Sequence, residues 1–182
     1  MFFGKLFKLL ASPKVGWEEI GKYSIPNNLL LSKMFYPCLA ILAISKFVPV
    51  MLGYIDMDLK NLIVYAMIDF VKFFVSFFIL SLIATSLFKF TTENETETNK
   101  LNNYVVFNLT ILVIIDFLKN LVPGFPVFDL FPLYIVFVAF CGKIYLNIPE
   151  NVMKSFLTTM SILLIVVPIG IEYILNFMLP NV

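Results

Sequence analysis

Long apolar runs separated by shorter polar segments make up the pattern of this chain. A helix that crosses a bilayer needs about 20 mostly apolar residues, whereas strands of a membrane barrel alternate apolar and polar positions in segments of about ten. The runs here do not alternate. We therefore predict an all-α membrane protein with five transmembrane helices, near residues 34–55, 61–88, 104–122, 131–146 and 155–179.

Composition indicates that the bilayer is the solvent. Of the 182 residues, 60% are hydrophobic and 14% are charged, whereas soluble domains carry roughly a quarter charged residues. So little charge could not cover the surface of a soluble domain. We expect residues 1–182 to form one membrane domain with the lipid bilayer as its partner. The net charge of +1 gives no electrostatic basis for binding nucleic acid.

The lysines predict the orientation of the chain, because positive residues favour the cytoplasmic side of a membrane. With the N-terminus inside, that side receives Lys5, Lys8, Lys14, Lys22, Lys33, Lys89, Lys100, Lys143 and Lys154. The outer side keeps Lys60 and, at the membrane edge, Lys119. We expect the N-terminus inside and the C-terminus outside. Lysine without arginine, together with abundant Asn, Ile and Phe, indicates an AT-rich genome and a bacterial inner membrane.

Residues 1–28 precede the first predicted span and have a mixed character. The first apolar residues of this N-terminal segment are Phe2, Phe3, Leu6, Phe7, Leu9 and Leu10, interrupted by Lys5 and Lys8. This pattern is typical of a short amphipathic helix in the membrane interface, with its apolar face in lipid and its lysines toward anionic headgroups. Trp17, the only tryptophan, is expected either as an anchor at the headgroup level or as a residue that binds a partner.

The segment that precedes the first predicted span carries a resemblance to a known family. Pro13, Trp17 and Ile20 form the pattern P-x-x-x-W-x-x-I. This pattern resembles the opening of the Yip (Ypt/Rab-interacting protein) domain family, in its short bacterial members.

The second half of the chain carries the same resemblance. The segment PLYIVFVAFCGKIYLNIPE resembles the family's fourth span, with Leu133 and Tyr134 near its start and Gly142 toward its end. The resemblance covers essentially the whole chain. It implies a five-span membrane organiser or adaptor with a cytoplasmic N-terminus and no known catalytic residues.

Charged residues inside the predicted spans are the most informative chemistry in the sequence. Asp69 and Lys72 in the second span, like Asp116 and Lys119 in the third, are three residues apart and share one helix face. A charge within a span costs about 2.5–3.5 kcal/mol on insertion scales, so such residues tend to face the bundle interior and find partners. The helical rise places a cluster in the outer half of the membrane. Its expected members are Lys46, Asp69, Lys72, Asp116, Lys119 and Glu172.

Two interpretations of this cluster, whose formal charges sum to zero, remain open. In the first, lysines and carboxylates neutralise one another as packing, with Lys119 reaching the surface and Lys46 meeting Glu172 or an Asp. In the second, the six residues line a polar cavity open to the outer side, which would serve an ion, a small solute or a lipid headgroup. The second interpretation makes the protein a small permease, channel or lipid-handling protein.

An enzyme is difficult to build from this sequence. It has no histidine, which excludes a Ser-His or Cys-His pair and a histidine-bound metal. Cys38 and Cys141 lie in apolar runs, where a small hydrophobe is the ordinary role. We expect no catalytic residues, no metal and no cofactor. The leading hypothesis is a non-enzymatic adaptor that acts through its N-terminal segment and cytoplasmic loops on a cytoplasmic protein partner, with a homo-oligomer as a further expected assembly.

Overall fold

The computed structural model describes residues 2–88, 95–146 and 148–179, and its regular structure within these ranges is helical, without strands. The short helices at the N-terminal end of the chain are separated from the first long one by a turn at Gly53. The α-helices are α1 (Phe2–Ala11), α2 (Pro13–Gly21), α3 (Asn27–Leu30), α4 (Tyr36–Ser45), α5 (Phe47–Met51), α6 (Leu59–Phe88), α7 (Glu95–Leu121), α8 (Tyr134–Cys141) and α9 (Glu150–Met178).

Five helical segments among the described residues are long and apolar enough to cross a membrane. They are Asn27–Met51, Leu59–Leu87, Glu97–Leu121, Pro126–Ile144 and Glu150–Met178. The prediction of an all-α, five-span membrane protein is therefore confirmed, and the chain is a multi-pass membrane protein. The helices α1 and α2 precede the first span, within the segment expected to lie at the interface.

The boundaries of several spans differ from those predicted. The first helical span covers Asn27–Met51 rather than 34–55, and the third begins at Glu97, near the start of α7, rather than at residue 104. The fifth begins at Glu150, directly after Pro149, rather than at residue 155. Hydropathy marks where a helix enters the apolar layer, but polar residues such as Glu and Lys continue the same helix beyond it. The predicted limits were therefore those of the apolar runs.

The first span is assembled from consecutive helical pieces. Leu31–Phe35 forms a π-helix between α3 and α4, and the Tyr36 N–H bonds to the Leu31 carbonyl. Pro37 follows in the first turn of α4. A proline has no N–H, and its ring clashes with the carbonyl four residues earlier, which gives a physical reason for the wider turn at this position. A second interruption, at Lys46, separates α4 from α5.

The fourth span is the least regular of the five. It was predicted as 131–146, but it begins with two 3-10 turns, Pro126–Asp129 and Phe131–Leu133. Only α8 is α-helical, and the 3-10 turn Gly142–Ile144 follows it. Prolines near the start of both early turns favour this irregular entry, because each fixes its own φ and lacks an N–H.

The third span, α7, is the centre of the bundle. Of its most apolar window, 72% is buried inside the protein, against 22% for α9. It packs against α4, α6 and α8. Two of its buried polar side chains bond within the helix: Asn108 Nδ2 donates to the Tyr104 carbonyl at 2.8 Å, and Thr110 Oγ1 donates to the Val106 carbonyl at 2.7 Å. These bonds reduce the cost of burying polar groups.

The helices α1 and α2 pack closely against each other. Gly16 of α2 is the point of closest approach: a Cβ built there would lie 2.5 Å from Leu9 Cα and 2.8 Å from Leu9 N. Because those atoms belong to the backbone of α1, they cannot move aside as the end of a flexible side chain could. The two helices therefore cross at a position that only glycine fits.

Gly16→Ala is expected to destabilise the protein by about 1–3 kcal/mol, the usual cost of overpacking. Its matched control is Gly4→Ala, because a Cβ at Gly4 has nothing within 4 Å and alanine is the better helix former. Thermal unfolding of both variants in nanodiscs measures the difference. Equal melting temperatures for the two variants would contradict the close crossing of α1 and α2.

Candidate functional site

Lys72, in α6, is the centre of a charge network that joins three spans. Its Nζ lies 2.7 Å from Asp116 Oδ2 of α7, 3.0 Å from Glu172 Oε2 of α9 and 3.3 Å from Asp69 Oδ1 of its own helix. An ammonium group has three donors, and here three carboxylates surround it. The Lys72 side chain is only 5% exposed.

Two further lysines extend the network on either side. Lys46 Nζ lies 3.1 Å from Asp69 Oδ2. Lys119 Nζ lies 3.1 Å from Asp129 Oδ1 and 4.0 Å from Asp116 Oδ1. All six charged residues that the sequence analysis grouped together therefore meet in one connected network. Lys46 meets an Asp, one of the two partners expected for it.

The structure adds residues that the sequence analysis missed. Asn120 Nδ2 lies 2.9 Å from Ser45 Oγ and 3.4 Å from Asp69 Oδ2, so it connects the first, second and third spans. Asp129, in the first 3-10 turn, pairs with Lys119. The sequence could have indicated Asn120, because it is a polar residue directly after Lys119 at the end of a span. It could not have indicated Asp129, because the contact of Asp129 with Lys119 depends on how the connector folds back.

Burial divides the network into a closed centre and a more open rim. The Asp69 side chain is 5% exposed, like that of Lys72, but the side chains of Lys46, Lys119 and Glu172 are 29%, 32% and 42% exposed. Lys46, Lys119 and Asn120 also border a cavity of about 230 Å³. The arrangement can neutralise charge in the centre, and it can offer polar groups to water or solutes at the rim.

A second site forms around Trp17, at the junction of α2 with α7 and α8. The indole is fully buried and stacks between the rings of Tyr104 and Tyr145, with centroids 5.5 Å and 5.2 Å away. Phe107 meets it edge-on at 5.9 Å. Its Nε1–H donates to the Val138 carbonyl at 2.9 Å. The expectations of an indole in the headgroup layer and of an indole that contacts a partner are both wrong, because the buried ring and its N–H are satisfied within the protein.

The other residues of the family-like patterns fall into two groups. Pro13 and Ile20 are buried with Trp17 on the inner side of α2. Tyr134 Oη donates to the Leu10 carbonyl at 2.8 Å, which ties α8 to α1. Leu133, in contrast, is exposed. Pro13, Ile20 and Tyr134 are therefore packing residues that hold the N-terminal segment on the bundle.

Gly142 belongs to the same aromatic pocket. A Cβ built at Gly142 would lie 2.5 Å from Tyr104 Cε2 and 3.5 Å from Trp17 Cε2. The absence of a side chain there lets the rings approach the end of α8. Tyr145 follows in the next turn, and burial raises its pKa to about 12. The two family-like patterns, 125 residues apart from Trp17 to Gly142, thus meet in one place.

The charged side chains of α1 and α2 lie in different surroundings. Lys8 bonds to Glu19 and links the two helices, and this hydrogen bond lowers the pKa of Glu19 below its usual value. Lys5 was expected to face the headgroups, but it is buried, with its Nζ 3.6 Å from the centroid of the Tyr23 ring. Burial lowers the pKa of Lys5, against a smaller opposing effect of Glu19. Lys5 is therefore part of the packing between α1 and the residues after α2.

The acidic residues of the network surround a lysine. In ranges 2–88, 95–146 and 148–179 no group of three or more His, Cys, Asp or Glu side chains is placed to hold a metal ion. Asp69, Asp116 and Glu172 converge, but the Lys72 ammonium lies between them. Cys38 and Cys141 are buried as free thiols.

Comparison with known proteins finds no matching family model, curated protein or solved structure. The likeness to the Yip family therefore depends on the residues named above. Function has to be inferred from the two sites, the Lys72 network and the Trp17 pocket.

Lys72→Met is expected to destabilise the protein by about 3–5 kcal/mol, because it removes one partner of a buried ionic network and leaves three carboxylates facing one another. The matched control is Lys119→Met, whose strongest partner, Asp129, is mostly exposed, so that about 0–1 kcal/mol should be lost. Unfolding in nanodiscs measures both. A Lys72→Met variant as stable as the control would show that Lys72 does not hold the bundle together.

Trp17 fluorescence tests the aromatic pocket directly, since the chain has one tryptophan. We expect neither acrylamide in the water nor spin-labelled lipids in the membrane to quench it efficiently. Gly142→Ala should make the indole accessible by pushing Tyr104 aside, whereas Gly170→Ala, where a Cβ meets nothing within 4 Å, should leave quenching unchanged. Strong quenching of the unmodified protein by spin-labelled headgroups would restore the role of interfacial anchor.

Proposed function

We propose that this protein is a non-enzymatic membrane organiser or adaptor of the Yip type. In this proposal it resides in a bacterial inner membrane, with its N-terminus inside and its C-terminus outside, and it acts on a cytoplasmic protein partner. The supporting observation is the docking of α1 and α2 on the bundle through Trp17 and Tyr134. Their outward side is therefore a fixed surface of the folded protein.

That outward side has the composition of a contact surface. Phe3 and Phe7 are exposed on α1, and Val15 is exposed on α2. Phe3 and Phe7 are four residues apart and project from one side of the helix. Lys8 and Lys14 are exposed beside them. Exposed aromatic residues bordered by basic ones are typical of surfaces that meet a partner or a membrane. We call Phe3, Phe7 and Val15 the outer N-terminal face.

A permease, channel or lipid-handling protein is the second candidate. The cavity of about 230 Å³ beside Lys46 and Lys119 favours it. Weighing against it, the three carboxylates of the predicted cluster each have a lysine Nζ within reach: 3.1 Å for Asp69, 2.7 Å for Asp116 and 3.0 Å for Glu172. Carboxylates that are already paired with lysines bind a solute less strongly than unpaired ones, so the adaptor ranks first.

A homo-oligomer in this proposal would form through α9. This helix is the least buried of the spans, and its outward residues are large and apolar. They are Ile162, Val166, Ile169, Tyr173 and Phe177. Their spacing of three or four residues keeps them on one side of the helix, where a second copy could replace lipid.

Photo-cross-linking in cells of the native host tests the adaptor. With benzoylphenylalanine at the position of Phe7 or Val15, we expect a discrete adduct with another protein, because the outer N-terminal face is fixed and exposed. The matched control is Tyr173, exposed on α9, where only lipid or a second copy should be captured.

Two results would overturn the ranking of the candidates. Cross-links from positions 7 and 15 to lipid alone would remove the protein partner. Solute flux in proteoliposomes that disappears with Asp116→Asn, in a variant that keeps its fold, would place the permease first.

A further inference from the structure

We propose that a phospholipid with one net negative charge binds in the cavity between the end of α8 and the start of α9. This α8–α9 cavity has a volume of about 650 Å³ and includes Phe140, Lys143, Ile148, Glu150, Met153 and Lys154 in its lining. It lies at the end of the bundle that carries α1 and α2, because α2 packs against the 3-10 turn Gly142–Ile144. The inference does not depend on the adaptor function.

The size and lining of the cavity suit the glycerol region and upper acyl chains of a lipid. Ligand sites in proteins commonly measure about 300–1,000 Å³ and are mostly apolar, with a few polar groups that fix orientation. Phe140, Ile148 and Met153 supply apolar surface. The cavity lies between the ends of two membrane-spanning segments, where a lipid passes from its headgroup to its chains.

The charged residues of the cavity are available for a ligand. Lys143, Glu150 and Lys154 are all exposed, and within residues 2–88, 95–146 and 148–179 none of them belongs to an ion pair. Lys46 and Lys119, in contrast, already have carboxylate partners. Lys143 and Lys154, which lie beside the apolar residues of the cavity, are therefore the better candidates for binding a phosphate, which lysine contacts as a point charge.

The charge balance selects the headgroup. Two lysines and one glutamate give the lining a formal charge of +1, which a lipid such as phosphatidylglycerol, with one net negative charge, neutralises. Phosphatidylethanolamine has no net charge and would leave the excess in place. Inorganic phosphate could meet the lysines but would leave the apolar lining uncovered. Basic pockets between membrane helices are known to bind lipid headgroups in this way.

The test uses the purified full-length protein in detergent, titrated separately with phosphatidylglycerol, phosphatidylethanolamine and inorganic phosphate. Retained lipid is counted by native mass spectrometry, and thermal stability is followed in parallel. We expect saturable retention of one phosphatidylglycerol with a rise in melting temperature, and weaker effects of the other two. Lys143→Gln with Lys154→Gln should weaken retention about thirtyfold, if each lysine contributes as it does at an anionic membrane surface.

Matched variants separate the site from general charge effects. Lys22→Gln with Lys33→Gln removes the same charge at the same end of the bundle from exposed positions outside the cavity lining, and it should leave retention unchanged. Met153→Trp keeps both lysines but places a larger ring in the apolar part of the cavity, and it should weaken retention. Because it leaves the charges intact, it also tests the site if the lysine variants fail to fold.

Three outcomes would overturn the proposal. The first is equal retention of phosphatidylglycerol and phosphatidylethanolamine. The second is an equal loss of retention in the Lys22 and Lys33 control. The third is stabilisation by inorganic phosphate as strong as that by lipid, which would show a simple anion site. None of these outcomes bears on cross-linking at the outer N-terminal face, so the two proposals fail independently.

Discussion

The ammonium group of Lys72 brings together carboxylates of α6, α7 and α9 at distances of 2.7–3.3 Å. In an apolar layer a charge without a partner is costly, so these three helices have one favourable register and one favourable set of facing sides. Asp69 extends the constraint to Lys46 in the first span, and Lys119 extends it to Asp129 in the first 3-10 turn of the fourth span. Buried ion pairs often add little net stability, and their best-attested contribution is to specify arrangement. The network therefore fixes which helices are neighbours.

The opposite end of the bundle is held by aromatic packing. Trp17 fills a pocket between Tyr104 and Tyr145, and its N–H is satisfied by the Val138 carbonyl. The N-terminal segment consequently belongs to the folded core, although it contains no span. This packing leaves one side of α1 and α2 facing outward as a stable surface, which is the physical basis for proposing an adaptor.

Lysines serve different purposes at the two ends of the molecule. Lys46, Lys72 and Lys119 pair with carboxylates and hold helices together. Lys143 and Lys154 border an open cavity whose lining is partly apolar and partly charged. A bilayer supplies anionic groups at its surface but none in its apolar layer, so deep lysines require partners from the protein and peripheral lysines can take theirs from lipid. This difference connects the proposed lipid site to the same electrostatic constraint as the central network.

The sequence by itself determined the class of protein and the number of spans, because the thickness of the apolar layer sets the length of each run. It also grouped the six charged residues correctly, since an unpaired charge within a span is costly whatever the fold. It could not assign the pairs: spacing along one helix suggested Asp116 with Lys119, but Lys72 from the neighbouring helix is closer. For Trp17 it indicated only a headgroup anchor or a residue that binds a partner, because the pocket that buries the indole is built from α7 and α8, far away in sequence. Contacts between distant segments depend on how helices pack, and only the tertiary structure decided them.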